Sequence, residues 1–291
     1  MNNDRIQEIL DLMEEARLDY FLISDPQSIA YCTGYYNDPH ERMFVFMISK
    51  HGNHTLFMND LFYLEHDLGV NIVWHKDGQD AIQTIVDEMH FPGRIGIDKN
   101  WASHFLLDLM KKLPDAKYIN ASPCVDLVRM KKDLQEQVLM IESSKINDAV
   151  MEEIIPFIQE GVSEKQLAKK LDELFFNHHS TCYGAIVAFG KNAADPHHEN
   201  DDTPLRKGDC VLIDMGCVYK GYCSDMTRTF FYEGILEEEI KVYEIVKKAN
   251  EAAEAMIKPG VKLSDIDKCA RKVISDEGYG QYFTHRLGHF I

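Results

Sequence analysis

The sequence predicts a layered α/β domain followed by an α+β domain, and three observations carry that expectation. Over roughly the first 125 residues, segments of helical and strand-like periodicity take turns, the pattern of helices packed on both faces of one sheet. From Leu127 to Ile158 breakers are few and Lys, Glu, Gln, Met and Leu dominate, which reads as one or two long helices. After residue 180 the chain turns to apolar strands, and then to two further helices. A length of 291 residues suits two such domains at about 150 residues each. The expected division is 1–125 and 126–291.

The elements follow in order. Ile6, Ile9, Leu10 and Met13 recur at helical spacing, and Tyr20-Phe21-Leu22-Ile23 reads as a short buried strand. Asp25-Pro26-Gln27-Ser28 combines a turn with a helix start. Met43–Ile48 and His54–Met58 read as two strands joined by a turn around His51-Gly52-Asn53. A helix is expected from Ala81 to Met89 and a strand over Arg94–Asp98. In the second half Ser163 is an N-cap, with Gln166 completing a capping box. Strands are expected over Gly184–Phe189, Cys210–Met215 and Thr227–Tyr232, then helices over 237–257 and 263–277 broken by Pro259-Gly260. No GxGxxG or P-loop stands at a strand-to-helix junction, so nothing supports a nucleotide site.

Composition narrows the function classes. The apolar fraction of 45% fits a folded globular chain. A formal charge of −17 excludes a nucleic-acid clamp, since phosphate binders carry basic patches. The opening Met1-Asn2-Asn3-Asp4-Arg5 lacks the basic and apolar regions of a signal peptide, and no apolar run of about 18 residues predicts a membrane span. Seven scattered cysteines without a C-x-x-C pair read as reduced thiols. A cytoplasmic protein with no nucleic-acid or membrane partner is therefore expected.

The chemistry concentrates at three places. Asp214, in Leu212-Ile213-Asp214-Met215-Gly216, and Asp225, in Ser224-Asp225-Met226-Thr227, flank a turn at Tyr219-Lys220-Gly221. A hairpin centred between Tyr219 and Lys220 makes the two aspartates face each other directly, on one side of the sheet. Two carboxylates at such range repel, so either one is protonated or a cation lies between them, and a divalent metal meets the need. The competing possibility, acids pointing to solvent, is opposed by the apolar neighbours Leu212, Ile213 and Met215. His285 and His289 are four apart, a spacing that shares a face on either a helix or a strand, although surface or core histidines fit it equally. Finally, Gly190–His198 follows the Ala185–Phe189 strand as a Gly- and Pro-containing loop ending in His197-His198, where a proton donor can be presented.

Taken together, these stretches resemble the pita-bread metallopeptidases, the family of Xaa-Pro dipeptidase (prolidase), aminopeptidase P and methionine aminopeptidase. The first domain resembles the creatinase/prolidase N-terminal type, including the texture around Ile29–Gly34, and this points to the prolidase/aminopeptidase P branch. The resemblance implies a creatinase/prolidase-type α/β domain plus an α+β pita-bread domain, and hydrolysis of the bond before proline by a hydroxide activated between two metals. It implies Asp214, Asp225 and His289 as metal ligands, with Asp214 on one ion and Asp225 bridging. It also implies His197 as the catalytic histidine near the leaving nitrogen and His285 as a second histidine of the pocket wall. The implied cofactors are two divalent ions (Mn, Co, Zn or Fe), the implied partner is a proline-containing peptide, and relatives of this kind are homodimers.

Two features depart from the family pattern. Two further glutamate ligands follow the histidine motif in the family, whereas this sequence ends at Ile291, so the expectation is a truncated form of a proline-directed metallopeptidase, short of two ligands and with its activity in doubt. Phe290 stands where a glycine commonly follows the ligand histidine. An alternative from another class is a catalytically dead relative serving as a binding or dimerisation scaffold.

Overall fold

The structure is a computed structural model, and it describes residues 1–90 and 92–290. The chain divides into two compact units, Met1–Lys132 and Asp133–Ile291. In the first, α1 (Asn3–Glu15), β1 (Tyr20–Ile23), α2 (Pro26–Thr33), β2 (Val45–Ser49), β3 (Thr55–Asn59) and β4 (Asn71–His75) are followed by α3 (Ala81–Glu88), β5 (Arg94–Ile97), α4 (Ser103–Lys112), β6 (Lys117–Asn120) and α5 (Ser122–Met130). The six strands form one mixed sheet in the order β4-β3-β2-β1-β5-β6. β1 pairs antiparallel with β2 and parallel with β5.

Strand alternation explains why the sheet is covered twice. Phe21 and Ile23 of β1 enter one core with Ile6, Ile9 and Met13 of α1 and Val125 and Val128 of α5. Tyr20 and Leu22 point the other way, to Ile82 and Ile85 of α3 and Leu109 of α4. A strand buried on both faces is apolar throughout, and the sequence of β1 is. Asp25 caps α2 by accepting from the Ser28 backbone N–H at 2.9 Å.

The division between the units falls at Lys132–Asp133 rather than near residue 125. Residue 125 lies inside α5, whose apolar side belongs to the first core. The expected long helix breaks after Met130, and Asp133 then opens α6 (Leu134–Ile154) with a capping box to Glu136. β4, α4 and β6 went unread in the sequence. β4 and β6 are half-exposed edge strands and α4 buries only Leu109, so their apolar periodicity is weak.

The second unit continues with α7 (Glu164–Asn177), β7 (Thr181–Cys182), β8 (Ile186–Phe189), β9 (Cys210–Tyr219), β10 (Tyr222–Phe231), α8 (Glu237–Glu254) and α9 (Leu263–Asp276). β10, β9 and β7 run side by side, and β8 pairs with β9 along the same edge as β7. The odd-numbered residues Val211, Ile213, Met215 and Cys217 of β9 face α6 and α7, packing with Val150, Ile154, Leu167, Leu171 and Phe175. The even-numbered Leu212, Asp214 and Gly216 must then occupy the opposite face. Phe175 is wholly buried in this core. Phe175→Ala is expected to destabilise the unit by about 3–5 kcal/mol, and chemical denaturation followed by circular dichroism checks it. α8 and α9 pack on each other through Ile245, Ala249, Ala253, Ala270 and Ile274.

Candidate metal centre and active-site cleft

β9 and β10, ten residues each, form a hairpin closed by Lys220-Gly221, both at positive φ (50° and 84°). Two successive positive φ values mark the hairpin turn whose twist matches that of the strands. Tyr219 therefore pairs with Tyr222, Asp214 with Thr227, and Asp225 with Gly216. The aspartates are diagonal neighbours and not directly opposed, which corrects the expected register. The turn is centred one residue later than expected, which moves each partner by two positions. A shift of two preserves the face, so Asp214 and Asp225 still share one side of the sheet.

Each aspartate is held differently. The Thr227 hydroxyl donates to Asp214 Oδ1 at 2.5 Å. For Asp225, partial burial and then repulsion from Asp214 push the carboxyl above its usual range, while His289 pulls it back. A carboxyl so disfavoured as an anion is a place where positive charge would be welcome. Gly216, opposite Asp225, owes its identity to crowding: a Cβ there would lie 2.1 Å from the Ser224 carbonyl oxygen and 2.1 Å from the Tyr183 hydroxyl. That hydroxyl donates to the Ser224 carbonyl at 2.5 Å. The Tyr183 phenol is pushed up from its usual value, first by burial and then by the negative charge of Asp225. Tyr183, Thr227 and the reason for Gly216 were not read from the sequence, because each depends on the hairpin register.

His285 and His289 lie in an irregular segment after α9, on neither a helix nor a strand. Their common orientation comes instead from an anchor on α9. Arg271 donates to the carbonyls of Phe283 at 2.7 Å and His285 at 2.8 Å. Asp267, paired with Arg271, accepts from the Leu287 backbone N–H at 2.9 Å, and these bonds hold its carboxyl below the usual range. An Asp and an Arg four apart on a helix was the available signal for this anchor. His289 Nδ1 lies 2.9 Å from the Phe290 carbonyl, which can only accept, so that nitrogen carries a proton. Its Nε2 then faces Asp225 Oδ2 at 3.7 Å, the arrangement a metal-ligating imidazole uses.

His197 approaches from the loop after β8. Its ring stands 5.7 Å from that of His285, centroid to centroid, and its backbone N–H donates to Asp195 Oδ1 at 3.0 Å. Asp195, His197, Asp214, Asp225, His285 and His289 all line one open cleft of about 850 Å³. Every site residue expected from the sequence is thus brought to a single place, from segments separated by up to 92 positions (289 − 197).

Two donor sets invite a cation, and they differ in chemistry. Among the described residues, Glu164, His198 and Asp201 are the group whose possible ligand atoms all lie within 4.8 Å of one another. The Glu164 carboxylate is already spent there. Oε1 accepts from Phe189 N at 2.8 Å and Asn192 Nδ2 at 3.0 Å. Oε2 accepts from Asp201 N at 3.0 Å and lies 2.7 Å from His198 Nε2. This cluster is a hydrogen-bond hub. The set of Asp214, Asp225 and His289 is more open, yet it keeps free acceptor capacity and faces solvent-accessible space. Two carboxylates and one imidazole with these surroundings fit a divalent ion of the harder kind.

Comparison with known proteins shows the family. Residues 138–291 match the model of metallopeptidase family M24, and residues 5–131 match that of the creatinase/prolidase N-terminal domain. An uncharacterized peptidase of Staphylococcus aureus is 31% identical over 294 residues, covering 98% of this chain and 82% of the relative. Among solved structures, a dipeptidase from Pyrococcus horikoshii superposes with a TM-score of 0.88 at 34% identity, over 98% of this chain and 81% of its own. The Xaa-Pro dipeptidase from Bacillus anthracis gives 0.87 at 28% identity, over 98% and 81% respectively. The architecture is the creatinase/prolidase N-terminal domain joined to the pita-bread domain. The chain belongs to metallopeptidase family M24 and is a peptidase.

Proposed function

We propose that this peptidase hydrolyses the bond before proline in Xaa-Pro dipeptides or short peptides, with Asp214, Asp225 and His289 as metal ligands and His197 and His285 as the histidines facing substrate. The observation that carries the reading is the convergence of these five residues on one cleft, one of them (Asp225) a carboxyl whose anion is disfavoured. The Bacillus anthracis protein is described as an Xaa-Pro dipeptidase, which supports proline after the scissile bond. When bound, divalent ions (Mn²⁺ foremost, with Co²⁺, Zn²⁺ or Fe²⁺ as alternatives) supply an acidic water at neutral pH and polarise a carbonyl.

The chain's own residues do the rest. Asp214 is steadied by Thr227, and Asp225 sits beside the His289 imidazole. The nitrogen leaving from an Xaa-Pro bond carries no hydrogen in the peptide and must gain one as it departs. His197, exposed to the cleft beside His285, is the group placed to hand over that proton. The seven free cysteines support the cytoplasmic assignment, and family resemblance supports a homodimer.

Ala-Pro and Ala-Pro-Gly hydrolysis by the 291-residue chain, with each of the four ions, tests the proposal and separates dipeptidase from aminopeptidase action. His197→Ala is expected to lower kcat by about 10²–10⁴-fold. Cleavage of other dipeptides with no turnover of either proline substrate would refute proline specificity.

A further inference from the structure

We infer that His198 and Glu164 form a positioning couple that sets where His197 stands in the cleft. The inference deepens the proposed function and rests on it for the role of His197. Glu164 is the first residue of α7 and has no solvent exposure. A lone carboxylate in such a position would be costly, so the bonds it accepts are obligatory. Among the described residues, its donors come from one stretch of chain. Phe189 ends β8, Asn192 lies in the turn that follows, and His198 and Asp201 lie beyond His197. Asn192 Nδ2 is also within 3.3 Å of Thr203 Oγ1, which ties the turn to the end of the same stretch.

The loop is therefore clamped on both sides of His197, while His197 itself presents an exposed ring to the cleft, 5.7 Å from that of His285, and makes a backbone bond to Asp195. His198 turns inward, with its side chain 13% exposed and Nε2 2.7 Å from Glu164 Oε2. Neighbouring histidines thus divide the work: His198 is bolted to the start of α7, and His197 is left free at the cleft. Removing the inner one loosens the outer one. The consequence falls on catalysis because a displacement of about 1 Å at a reacting group can cost about 10²-fold in rate.

His198→Ala and His198→Gln test this, the second retaining an N–H donor that can reach Glu164. In His198→Ala, kcat for Ala-Pro is expected to fall by about 10–10²-fold, with KM and Mn²⁺ affinity within about threefold of the parent, and His198→Gln is expected to restore most of the loss. Nuclear Overhauser contacts between the His197 and His285 rings, clear in the parent chain, should vanish in His198→Ala and return in His198→Gln. An unchanged kcat together with unchanged ring contacts in His198→Ala overturns the inference. So does a fall in kcat that tracks a fall in melting temperature and is not restored by glutamine, since that is a purely structural role. If the parent chain turns over no Xaa-Pro peptide with any ion, the functional reading fails by itself. The ring contacts then decide whether the couple positions His197.

Discussion

Asp225→Asn is expected to abolish Mn²⁺ binding at the hairpin site and to lower Xaa-Pro turnover by well over the roughly 100-fold seen when an outer-sphere partner of a metal is lost. Asparagine keeps the size and one acceptor oxygen but removes the charge that a cation needs on this face. The same substitution has the opposite effect on the metal-free protein. Partial burial and the Asp214 charge raise the Asp225 carboxyl above its ordinary value of 3.8, so the folded state disfavours the anion. The linkage has a definite sign. A raised carboxyl lends stability below the ordinary value, and that stability is lost as pH rises through the folded-state value. At pH 7 with chelator present, Asp225→Asn should therefore melt at or above the parent, and below about pH 3.5 the difference should disappear. Calorimetric Mn²⁺ titration and melting curves in chelator measure both halves. Retained Mn²⁺ affinity, or a metal-free variant several degrees less stable at pH 7, would count against Asp225 as the ligand awaiting charge.

Gly216→Ala is expected to cost about 3 kcal/mol, or roughly 6–12 °C in the melting temperature of its unit, and to weaken metal binding with it. The added methyl would sit 2.1 Å from the Ser224 carbonyl oxygen, and backbone in the middle of a hairpin ladder cannot step aside as a side chain can. Relief requires β10 to move away from β9 at the rung that carries Asp225. Tyr183→Phe in the same background removes the hydroxyl clash and leaves both the carbonyl clash and the ring Cζ at 2.4 Å, so it should recover only a small part of the loss. Thermal denaturation of the two variants and the double variant checks this. Full recovery in the double variant would show that the Tyr183 hydroxyl alone dictates glycine at this position, against the carbonyl and ring contacts.

The candidate site was legible in the sequence wherever chemistry was local. Asp in an apolar strand, two histidines four apart and a Gly- and Pro-containing loop ending in histidines each carry their own signal, and each led to the same cleft. What escaped were residues whose role exists only through a distant partner. Glu164 reads as an ordinary acid at a helix start, yet its four donors come from residues 189 to 201. Tyr183 gains its place only because β9 carries no side chain at 216. Thr227 matters because the turn falls at Lys220-Gly221, a single position beyond the expected centre.

By itself the sequence determined the layered first domain with helices on both faces of one sheet, the helix-then-hairpin order of the second, and the residue types able to hold a divalent ion. It could do so because apolar periodicity and the cost of burying charge act between near neighbours along the chain. Tertiary structure decided the hairpin register, the division at Lys132–Asp133, and the anchoring of His285–His289 by Asp267 and Arg271 without any regular element. Those outcomes depend on which turn geometry closes a hairpin and which surfaces meet, and contacts across tens of residues leave no periodic trace in the chain.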